Sequence, residues 1–328
     1  MKVLVLNEAD VHRLLTMREC IDEMADVLAA LSRGEALQPL RTVLRPEGAA
    51  GLMAVMPAYR GGANGAFGVK VVGVFAGNAA AGKDAHQGLV ALFSPETGEP
   101  LALVNASAVT AVRTAAVSGV ATRALSRDDA GDLALVGASV QARTHLAAMA
   151  AVRNIRRARI VSRRPERAAA FVDEMAPRFP FPIERAATVE DALRGADLVV
   201  TATSSPAPVL RHEWVAAGAH LNVVGASLPD RREVDGATMA AASLFVDRRE
   251  STLREAGDYL LALAEGAIGD GHIRAEIGDV LLGRHPGRTS RDEITLFKSL
   301  GLAVEDLAAA AFLHRRAAEI GAGQWIEM

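Results

Sequence analysis

The sequence lacks several features that mark particular classes of protein. Cys20 is the single cysteine among 328 residues, so neither an intrachain disulfide nor a multi-cysteine metal site can form, and a reducing compartment is expected. No apolar run approaches the roughly 18 residues that a membrane-spanning helix needs, and the run from Lys2 to Leu6 is too short for a signal-peptide core. The 36 basic and 39 acidic residues are interspersed, without the basic stripe that nucleic acids require. We expect a cytoplasmic globular protein that binds neither nucleic acid nor a membrane.

Histidine spacing gives no support for a metal site. None of the eight histidines follows the H-x-x-x-H or H-E-x-x-H pattern that places two imidazoles on one face of a helix. His86, His145 and His272 each fit a solvated or capping role better than metal ligation. The sequence therefore predicts no metal.

Length and local composition favour two domains. The chain is about twice a usual domain length, and 50% of its residues are apolar. A capping box at residues 16–19 opens an amphipathic helix that ends at Gly34, and short β-like runs separated by turns fill residues 39–103. A helix rich in small residues follows at 110–125, before a polar break at 128–132. The part before the break predicts an antiparallel or mixed sheet accompanied by helices.

The residues after the break alternate between strands and helices. Apolar strand candidates lie at 133–136, 158–161, 197–202, 221–224 and 244–246, with helices at 140–152 and 166–175. Continuous apolar strands of this kind indicate a buried parallel sheet covered by helices. We therefore predict an α/β protein with a doubly wound, Rossmann-type parallel sheet, and a last helix at 303–320 that ends in Gly321.

A glycine motif for binding a dinucleotide follows the first strand of that sheet. Gly137-Ala138-Ser139-Val140-Gln141-Ala142 stands between a strand and a helix, the context in which a G-x-G-x-x-G/A pattern carries meaning. Ser139 replaces the middle glycine, which normally lets the backbone approach the pyrophosphate, so the serine must displace the phosphate or hydrogen-bond it. By itself the hexapeptide is also compatible with an ordinary turn between a strand and a helix.

The end of the next strand bears on the choice of cofactor. Ser162-Arg163-Arg164 offers a hydroxyl and two guanidinium groups where an NAD site usually has a carboxylate for the ribose 2′-hydroxyl. Because these groups suit a 2′-phosphate, NADP(H) is preferred and NAD(H) is the second choice; the alternative interpretation is a solvated arginine pair. A hydroxyl-rich turn at residues 201–206, which includes Thr203, either lines the same cleft or is a plain turn.

Three basic residues stand in apolar or small-residue segments. Lys70 interrupts an apolar strand, and burial of its ammonium is costly unless an anion or strong acceptors meet it. Arg41 and Arg113 are likewise single cations in their segments. If the three converge, they form a receptor for a carboxylate, with arginine as a bidentate fork and lysine as a point donor. The alternative for each is an edge residue whose charged head reaches water.

The order of these segments resembles the ornithine cyclodeaminase/mu-crystallin family over nearly the whole chain. The resemblance is carried jointly by Arg41-Thr42-Val43, Met56-Pro57-Ala58-Tyr59, Val69-Lys70, residues 108–116, Val140-Gln141-Ala142 and residues 293–301. It implies an α+β substrate-binding and dimerisation domain built from both chain ends (1–125 and 303–328), a Rossmann dinucleotide-binding domain inserted between them (126–302), and a homodimer.

The resemblance also implies roles for individual residues. Arg41, Lys70 and Arg113 would hold a substrate carboxylate beside the nicotinamide, and Arg113 would also reach the cofactor phosphates. Met56 and Leu300 are the further substrate-binding candidates. Together with Gly137, Ser139, Arg163 and Arg164, the expected cofactor contacts are Val140, Gln141, Ser162, Thr203, Asn222, Val223, Val224, Gly225, Arg231 and Ser299, and His86 lies near a loop of this kind.

Departures from the family pattern bear on the reaction. Family members that cyclise ornithine, and the related alanine dehydrogenases, have an aspartate two residues after the glycine of an Asn-x-x-Gly strand end, where this chain has Ser227. Cyclodeaminases also have a glutamate where this chain has Ala54. Oxidising an amine needs a base that takes protons from an ammonium, which a serine cannot do unaided. Reducing a protonated imine needs less, because the protein has only to fix the carboxylate and stack the ring.

We therefore expect an NADPH-preferring oxidoreductase that reduces cyclic ketimine carboxylates, such as pyrroline-2-carboxylate or piperideine-2-carboxylate. Lys70, Ser227 and Asp230 are the catalytic candidates, with Asp230 as a displaced substitute acid. One alternative is an ornithine or lysine cyclodeaminase, or an alanine dehydrogenase, that uses Asp230. Another is a crystallin-like protein that binds a cofactor without catalysis, against which Lys70 and Arg113 argue.

Overall fold

The computed structural model describes residues 2–62 and 64–327, and its strands form two sheets. The strands are β1 (Lys2–Leu6), β2 (Ala36–Leu37), β3 (Thr42–Leu44), β4 (Leu52–Arg60), β5 (Ala66–Val74), β6 (His86–Phe93), β7 (Pro100–Asn105), β8 (Asp132–Val136), β9 (Arg157–Val161), β10 (Ile183–Arg185), β11 (Leu198–Thr201), β12 (His220–Val223), β13 (Ser243–Val246), β14 (Ile273–Glu276), β15 (Thr295–Lys298) and β16 (Gln324–Glu327). The helices are α1 (Glu8–Leu14), α2 (Met17–Arg33), α3 (Ala106–Leu125), α4 (Val140–Val152), α5 (Pro165–Met175), α6 (Val189–Leu193), α7 (Gly236–Ala241), α8 (Arg249–Glu255), α9 (Gly257–Ala264), α10 (Ile277–Leu281) and α11 (Ala303–Ile320).

The chain divides into two compact units. The first consists of Met1–Arg113 with Gly301–Met328, and the second of Thr114–Leu300, so the boundary falls inside α3. This helix begins at Ala106 rather than at the predicted Thr110. The reason is that Asn105 Oδ1 accepts the backbone N–H of Ala108 at 2.9 Å and so satisfies a donor of the first turn.

The first unit holds a mixed sheet in the order β16-β1-β7-β6-β5-β4-β2, with β3 also paired to β4. β1 and β7 run parallel and the other neighbours antiparallel, so the sheet is mixed, one of the two arrangements that the sequence predicted. Helix α11 packs on β4, β5 and β6. It lies close to β5 because Gly68 has no side chain: a Cβ there would come within 2.6 Å of Leu307. The first turn of α11 therefore lies next to the middle of this sheet.

The opposite face of β3, β4 and β5, which we call the outer face, is apolar and largely uncovered. Along β4, the residues of the outer face alternate with the residues that face α11. Each outer-face residue of β4 stands opposite an outer-face residue of a neighbouring strand. Leu44, Met53 and Phe67 on this face are 64%, 48% and 48% exposed. A single chain thus leaves a contiguous apolar surface in contact with water.

The second unit is built on a parallel sheet in the order β10-β9-β8-β11-β12-β15-β13-β14. The strand order reverses between β8 and β11, and the carboxyl ends of such a pair form the crevice in which doubly wound sheets bind ligands. Every residue of β11, β12 and β15 is buried, as expected for the central strands of a parallel sheet that helices cover on both faces. The predicted α/β class with a Rossmann-type parallel sheet is confirmed.

Among the described helices, none combines the length and the apolar character that crossing a membrane requires.

Candidate active site

The first unit brings the three predicted cations together around residues 301–306. Lys70 lies in the middle of β5, where it stands opposite Met56 on β4 and Val90 on β6. Arg113 comes from α3, and Arg41 precedes β3. Lys70 and Arg113 are each only 4% exposed, so neither is an edge residue whose charge reaches water. All three side chains bond to residues 301–306.

Two consecutive carboxylates of α11 pair with the buried cations. Asp306 Oδ1 lies 3.0 Å from Lys70 Nζ and 3.0 Å from Arg113 Nε, and Glu305 Oε2 lies 2.8 Å from Arg113 Nη1. Both carboxylates are fully buried. Such charges are tolerated inside a protein only when they are paired and hydrogen-bonded. With Arg41 counted, this charge cluster of three cations and two carboxylates carries one net positive charge.

Gly301 connects the two arginines of the cluster. Its carbonyl accepts a hydrogen bond from Arg41 Nη2 at 3.0 Å. Its φ of +77° is a left-handed conformation, and a Cβ would lie 2.5 Å from Arg113 Nη1. Only glycine meets both demands without strain, because other residues avoid this φ and would press on the guanidinium.

The cluster changes the acidity of its members. Burial lowers the pKa of Lys70 to about 8, although Asp306 acts in the opposite direction. Burial raises the pKa of Asp306, but the charges of Arg113 and Lys70 outweigh it and hold the pKa below its usual value. At neutral pH the cluster therefore contains a charged lysine that can lose its proton under mildly alkaline conditions.

His86 lies on the same sheet face as Lys70, since its register on β6 is an even number of residues from Val90. Partial desolvation, together with the charges of Lys70 and Arg113, lowers the pKa of its imidazole. The ring is consequently neutral at physiological pH. Ser107 donates its hydroxyl to the backbone carbonyl of His86.

The predicted dinucleotide loop lies at the carboxyl end of β8, at the point where the strand order reverses. Gly137 has a φ of +109°, and a Cβ there would lie 2.5 Å from the carbonyl oxygen of Ala202, at the end of β11. Ser139 is the N-cap of α4: its Oγ accepts the N–H of Ala142 at 3.4 Å and donates to the carbonyl of Ala202 at 3.3 Å. The hydroxyl of Ser139 is thus hydrogen-bonded within the protein, where it stabilises the turn and the start of α4.

A buried acidic network holds the neighbouring strand ends. Glu233 Oε1 accepts the N–H of Thr203 at 2.7 Å, and its Oε2 accepts the N–H of Gly225 at 2.5 Å. Asp258 in turn accepts the N–H of Glu233 at 2.7 Å and pairs with Lys298 at 2.9 Å. Burial raises the pKa of Glu233, and Lys298 opposes this. Buried side-chain hydrogen bonds therefore hold the backbone of the turns after β11 and β12 in place.

Most of the remaining predicted site residues lie at the same edge of the second unit, at the carboxyl ends of its strands. Their side chains differ in how far they are exposed. Ser227, Asp230 and Arg231 are exposed in the loop after β12, and Arg163 and Arg164 are exposed after β9. Three further side chains are exposed or half-buried: Val140, Gln141 and Ser162. Val224 and Gly225 are half-buried, whereas the side chains of Asn222, Val223 and Leu300 are buried. Asn222 Nδ2 donates to Thr122 at 2.9 Å, whereas its Oδ1 has no hydrogen-bond partner among the described residues.

The edge fits a dinucleotide on three observations. The first turn of α4 carries no acidic residue, and the positive end of a helix dipole favours a phosphate there. Gly137 and Gly225 allow the loops at this edge to pack closely on one another, as in dinucleotide-binding turns; a Cβ at Gly225 would lie 2.1 Å from the carbonyl of Thr203. Ser299, at the end of β15, is 2% exposed, and its hydroxyl has no hydrogen-bond partner among the described residues. A buried hydroxyl of this kind is suited to a polar ligand group.

Sequence reasoning missed the acidic half of both networks. Glu305 and Asp306 are two consecutive carboxylates in an apolar, alanine-rich stretch, the same signal that identified Lys70. Glu233 gave no comparable signal, because polar residues surround it in the sequence. Asp258, which directly precedes the apolar run 259–264, carried a signal of the same kind. No group of three or more candidate metal ligands occurs within residues 2–62 and 64–327.

Comparisons with known proteins agree with this arrangement. The model of the ornithine cyclodeaminase/mu-crystallin family matches residues 1–321. Delta(1)-pyrroline-2-carboxylate reductase of Bacillus cereus is 36% identical over 326 residues, 99% of this chain and 100% of that protein. Ketimine reductase mu-crystallin of Mus musculus is 38% identical over 297 residues, 90% of each chain. The structure of Thermococcus litoralis Delta(1)-pyrroline-2-carboxylate reductase in complex with NADH and L-proline superposes with a TM-score of 0.95 at 37% identity, covering 98% of this chain and 99% of that one. The chain therefore belongs to the ornithine cyclodeaminase/mu-crystallin family.

Proposed function

We propose that this chain is an NAD(P)H-dependent reductase of cyclic ketimine carboxylates, which converts pyrroline-2-carboxylate or piperideine-2-carboxylate to proline or pipecolate. The observation that carries the proposal is the buried charge cluster of the first unit. Its one net positive charge matches the single carboxylate of these imines. The two relatives described above, named as reductases of this kind of imine, support the same substrate class.

In this proposal Arg41, Lys70 and Arg113 bind the substrate carboxylate. Arginine and lysine form charge-assisted hydrogen bonds to a carboxylate, and these strengthen in a site that excludes water. The apolar side chain of Met56, opposite Lys70, provides a wall for the carbon ring. Leu300, which is also buried, is the second wall residue that we propose.

The reaction adds a hydride to the imine carbon and a proton to the nitrogen. The nicotinamide supplies the hydride when it is bound. Ser227, or a water that it holds, relays the proton, and its exposed position gives solvent access for this purpose. Asp230, exposed in the same loop, is the alternative proton source. A carboxylate base for oxidising an amine is missing at position 227, which disfavours cyclodeamination.

For the cofactor we propose NADP(H) in preference to NAD(H). The support is the exposed pair Arg163 and Arg164 after β9, together with the absence of a carboxylate in residues 162–164. In a Rossmann sheet this strand end meets the adenosine ribose, where guanidinium groups favour a 2′-phosphate. We propose further contacts from Gly137, Val140, Thr203, Gly225 and Ser299 to the rest of the cofactor.

We also propose a homodimer joined through the outer face. Exposed apolar residues on neighbouring strands, among them Leu44, Met53 and Phe67, form a surface too contiguous for a single soluble chain. A second copy of the chain is the occupant that we favour, since isologous pairing of one such patch closes the assembly. We further propose that the substrate-binding and dimerisation domain consists of residues 1–125 and 303–328, and the dinucleotide-binding domain of residues 126–302. The single cysteine is in line with a cytoplasmic location, which we also propose.

Oxidation of NADPH and NADH by the purified protein tests the proposed reaction directly. We expect turnover with pyrroline-2-carboxylate or piperideine-2-carboxylate, and little with the matched cyclic imine that lacks the carboxylate. A protein that is inert toward both imines, yet consumes NAD and releases ammonia from ornithine, would be a cyclodeaminase. A protein that binds NADPH and turns over none of these compounds would be a non-catalytic binding protein.

A further inference from the structure

We propose that Asp306 is a positioning residue for imine reduction: its carboxylate keeps Lys70 in the charged form and holds Arg113 beside it, so that both cations are ready to bind a substrate carboxylate. The role rests on the proposed function, because it assigns Lys70 and Arg113 to the substrate. Asp306 itself is not placed in contact with the substrate.

The geometry of one oxygen atom links the two cations. A single oxygen, Asp306 Oδ1, lies 3.0 Å from Lys70 Nζ and 3.0 Å from Arg113 Nε. It is therefore the atom that fixes the spacing of the two cations. Without it, two like charges would be held together in a region where each is nearly inaccessible to water. Such charges repel strongly, and the lysine relieves the repulsion by losing its proton.

In the described part of the chain, the other oxygen of the same carboxylate is isolated from hydrogen-bond donors. Asp306 Oδ2 is buried and has no hydrogen-bond partner among the described residues. A carboxylate with one bare oxygen gains less from hydrogen bonds within the protein than one that is fully bonded. Its stability as an anion therefore depends on Lys70 and Arg113, in agreement with the direction of its pKa. The coupling between Asp306 and the two cations is mutual.

Charged and titratable groups surround Lys70 on several elements. Helix α11 contributes Asp306 and Glu305, and α3 contributes Arg113 and the hydroxyl of Thr110. His86 lies on β6, and Arg41 lies before β3. The thiol of Cys20, on α2, interacts electrostatically with the same charged residues. Of the two acidic side chains, only Asp306 bonds to Lys70. Glu305 Oε2 accepts hydrogen bonds from Arg113 Nη1 and from the N–H of Leu302. Asp306 is thus the direct support of the lysine charge, and Glu305 is a matched control.

Direct titration of Lys70 tests the role without any turnover. The chain has four lysines, Lys2, Lys70, Lys83 and Lys298, so lysine labelled with ¹³C at Cε gives a simple NMR spectrum, in which Lys70→Arg identifies the Lys70 signal. In the full-length wild-type protein we expect a midpoint of about pH 8. In Asp306→Asn it should fall by about one pH unit or more, the usual effect of removing an opposite charge in contact. In Glu305→Gln, which removes the same charge farther from Lys70, the fall should be clearly smaller.

A second readout connects the titration to the reaction. In wild type, kcat/KM for the imine should decrease above the Lys70 midpoint, chiefly through KM, and Asp306→Asn should move this decrease to lower pH by the same amount. Asp306→Ser, which removes the charge with a smaller side chain, provides a second folded variant if the asparagine variant does not fold. A Lys70 midpoint that is unchanged in these variants, or that moves equally in Glu305→Gln, overturns the role of Asp306. A wild-type protein inert toward imines overturns the proposed function instead, and the titration still decides whether Asp306 supports the charge of Lys70.

Discussion

Replacing Lys70 by methionine separates substrate binding from cofactor binding. Methionine keeps the length and apolar stem of the side chain but removes the ammonium that we assign to the substrate carboxylate. A hydrogen bond to a charged group contributes about 1.5–3 kcal/mol. Since each 1.4 kcal/mol or so is a factor of ten, kcat/KM for the imine should fall about 10- to 150-fold, mainly through a higher KM.

The structure also sets the expected cost in stability. Breaking a buried ion pair costs about 3–5 kcal/mol when the remaining charge is left alone. In Lys70→Met, however, Asp306 keeps its bond to Arg113 Nε at 3.0 Å, so the loss in the free energy of unfolding should lie below that range. Urea-induced unfolding, followed by circular dichroism, measures it. The variant should remain folded at room temperature and suitable for kinetics.

The assay compares NADPH oxidation with the imine, and NADPH binding by fluorescence, in wild type, Lys70→Met and the exposed-lysine control Lys83→Met. We expect the control to match wild type, and Lys70→Met to bind NADPH normally while its kcat/KM for the imine falls as stated. Wild-type kcat/KM in Lys70→Met would refute the reasoning. A folded variant that has lost NADPH affinity would show that the lysine serves the cofactor rather than the substrate.

Four further predictions concern the cofactor edge, the outer face and a buried histidine. Gly137→Ala, which forces a Cβ to within 2.5 Å of a carbonyl oxygen at a φ of +109°, should weaken NADPH binding about tenfold or more, as measured by calorimetry. Replacing Arg163 and Arg164 together by alanine should raise the KM for NADPH about tenfold or more and leave that for NADH nearly unchanged; equal effects on both would contradict a 2′-phosphate site. Phe67→Asp, at a half-exposed position of the outer face, should shift the protein from dimer to monomer in analytical ultracentrifugation, and an unaltered sedimentation coefficient would argue against this interface. Burial lowers the pKa of His145 from 6.5 to about 4, so the unfolded chain takes up a proton at a higher pH than the folded protein does. The free energy of unfolding should therefore decrease as the pH falls from 6.5 towards 4. In His145→Gln, the free energy of unfolding measured with urea should change less over this pH range.

The fold was predictable from the sequence where the periodicity of single elements determines it. The glycine turn at Gly137 and the strands beside it were predicted to within a residue or so, because buried parallel strands have continuous apolar sequences. The place of β15 was not predictable. It lies between β12 and β13, although it follows both in the chain, and strand order of this kind depends on packing that no local pattern records.

The cations of the charge cluster were predictable and their partners were not. Lys70 and Arg113 were conspicuous because each interrupts an apolar or small-residue segment. That they meet Asp306 depends on the close packing of α11 at Gly68, a contact between residues more than 200 positions apart. Ser139 shows the opposite case: its identity was read as a weakness of the phosphate loop, whereas its hydroxyl caps α4 and ties the turn to Ala202.

The pairing of Lys70 and Arg113 with α11 has a consequence for biosynthesis. Lys70 and Asp306 are 236 residues apart, and Arg113 and Glu305 are 192 apart. Because a chain leaves the ribosome from its N-terminus, both cations are made long before their carboxylates. Until then the ammonium and guanidinium must stay in water, since burial of an unpaired charge is strongly unfavourable. All strands of the parallel sheet of the second unit lie between Arg113 and Glu305 in the sequence, so this sheet can form during that interval. The synthesis of α11 then supplies the carboxylates that allow the cations of the first unit to be buried.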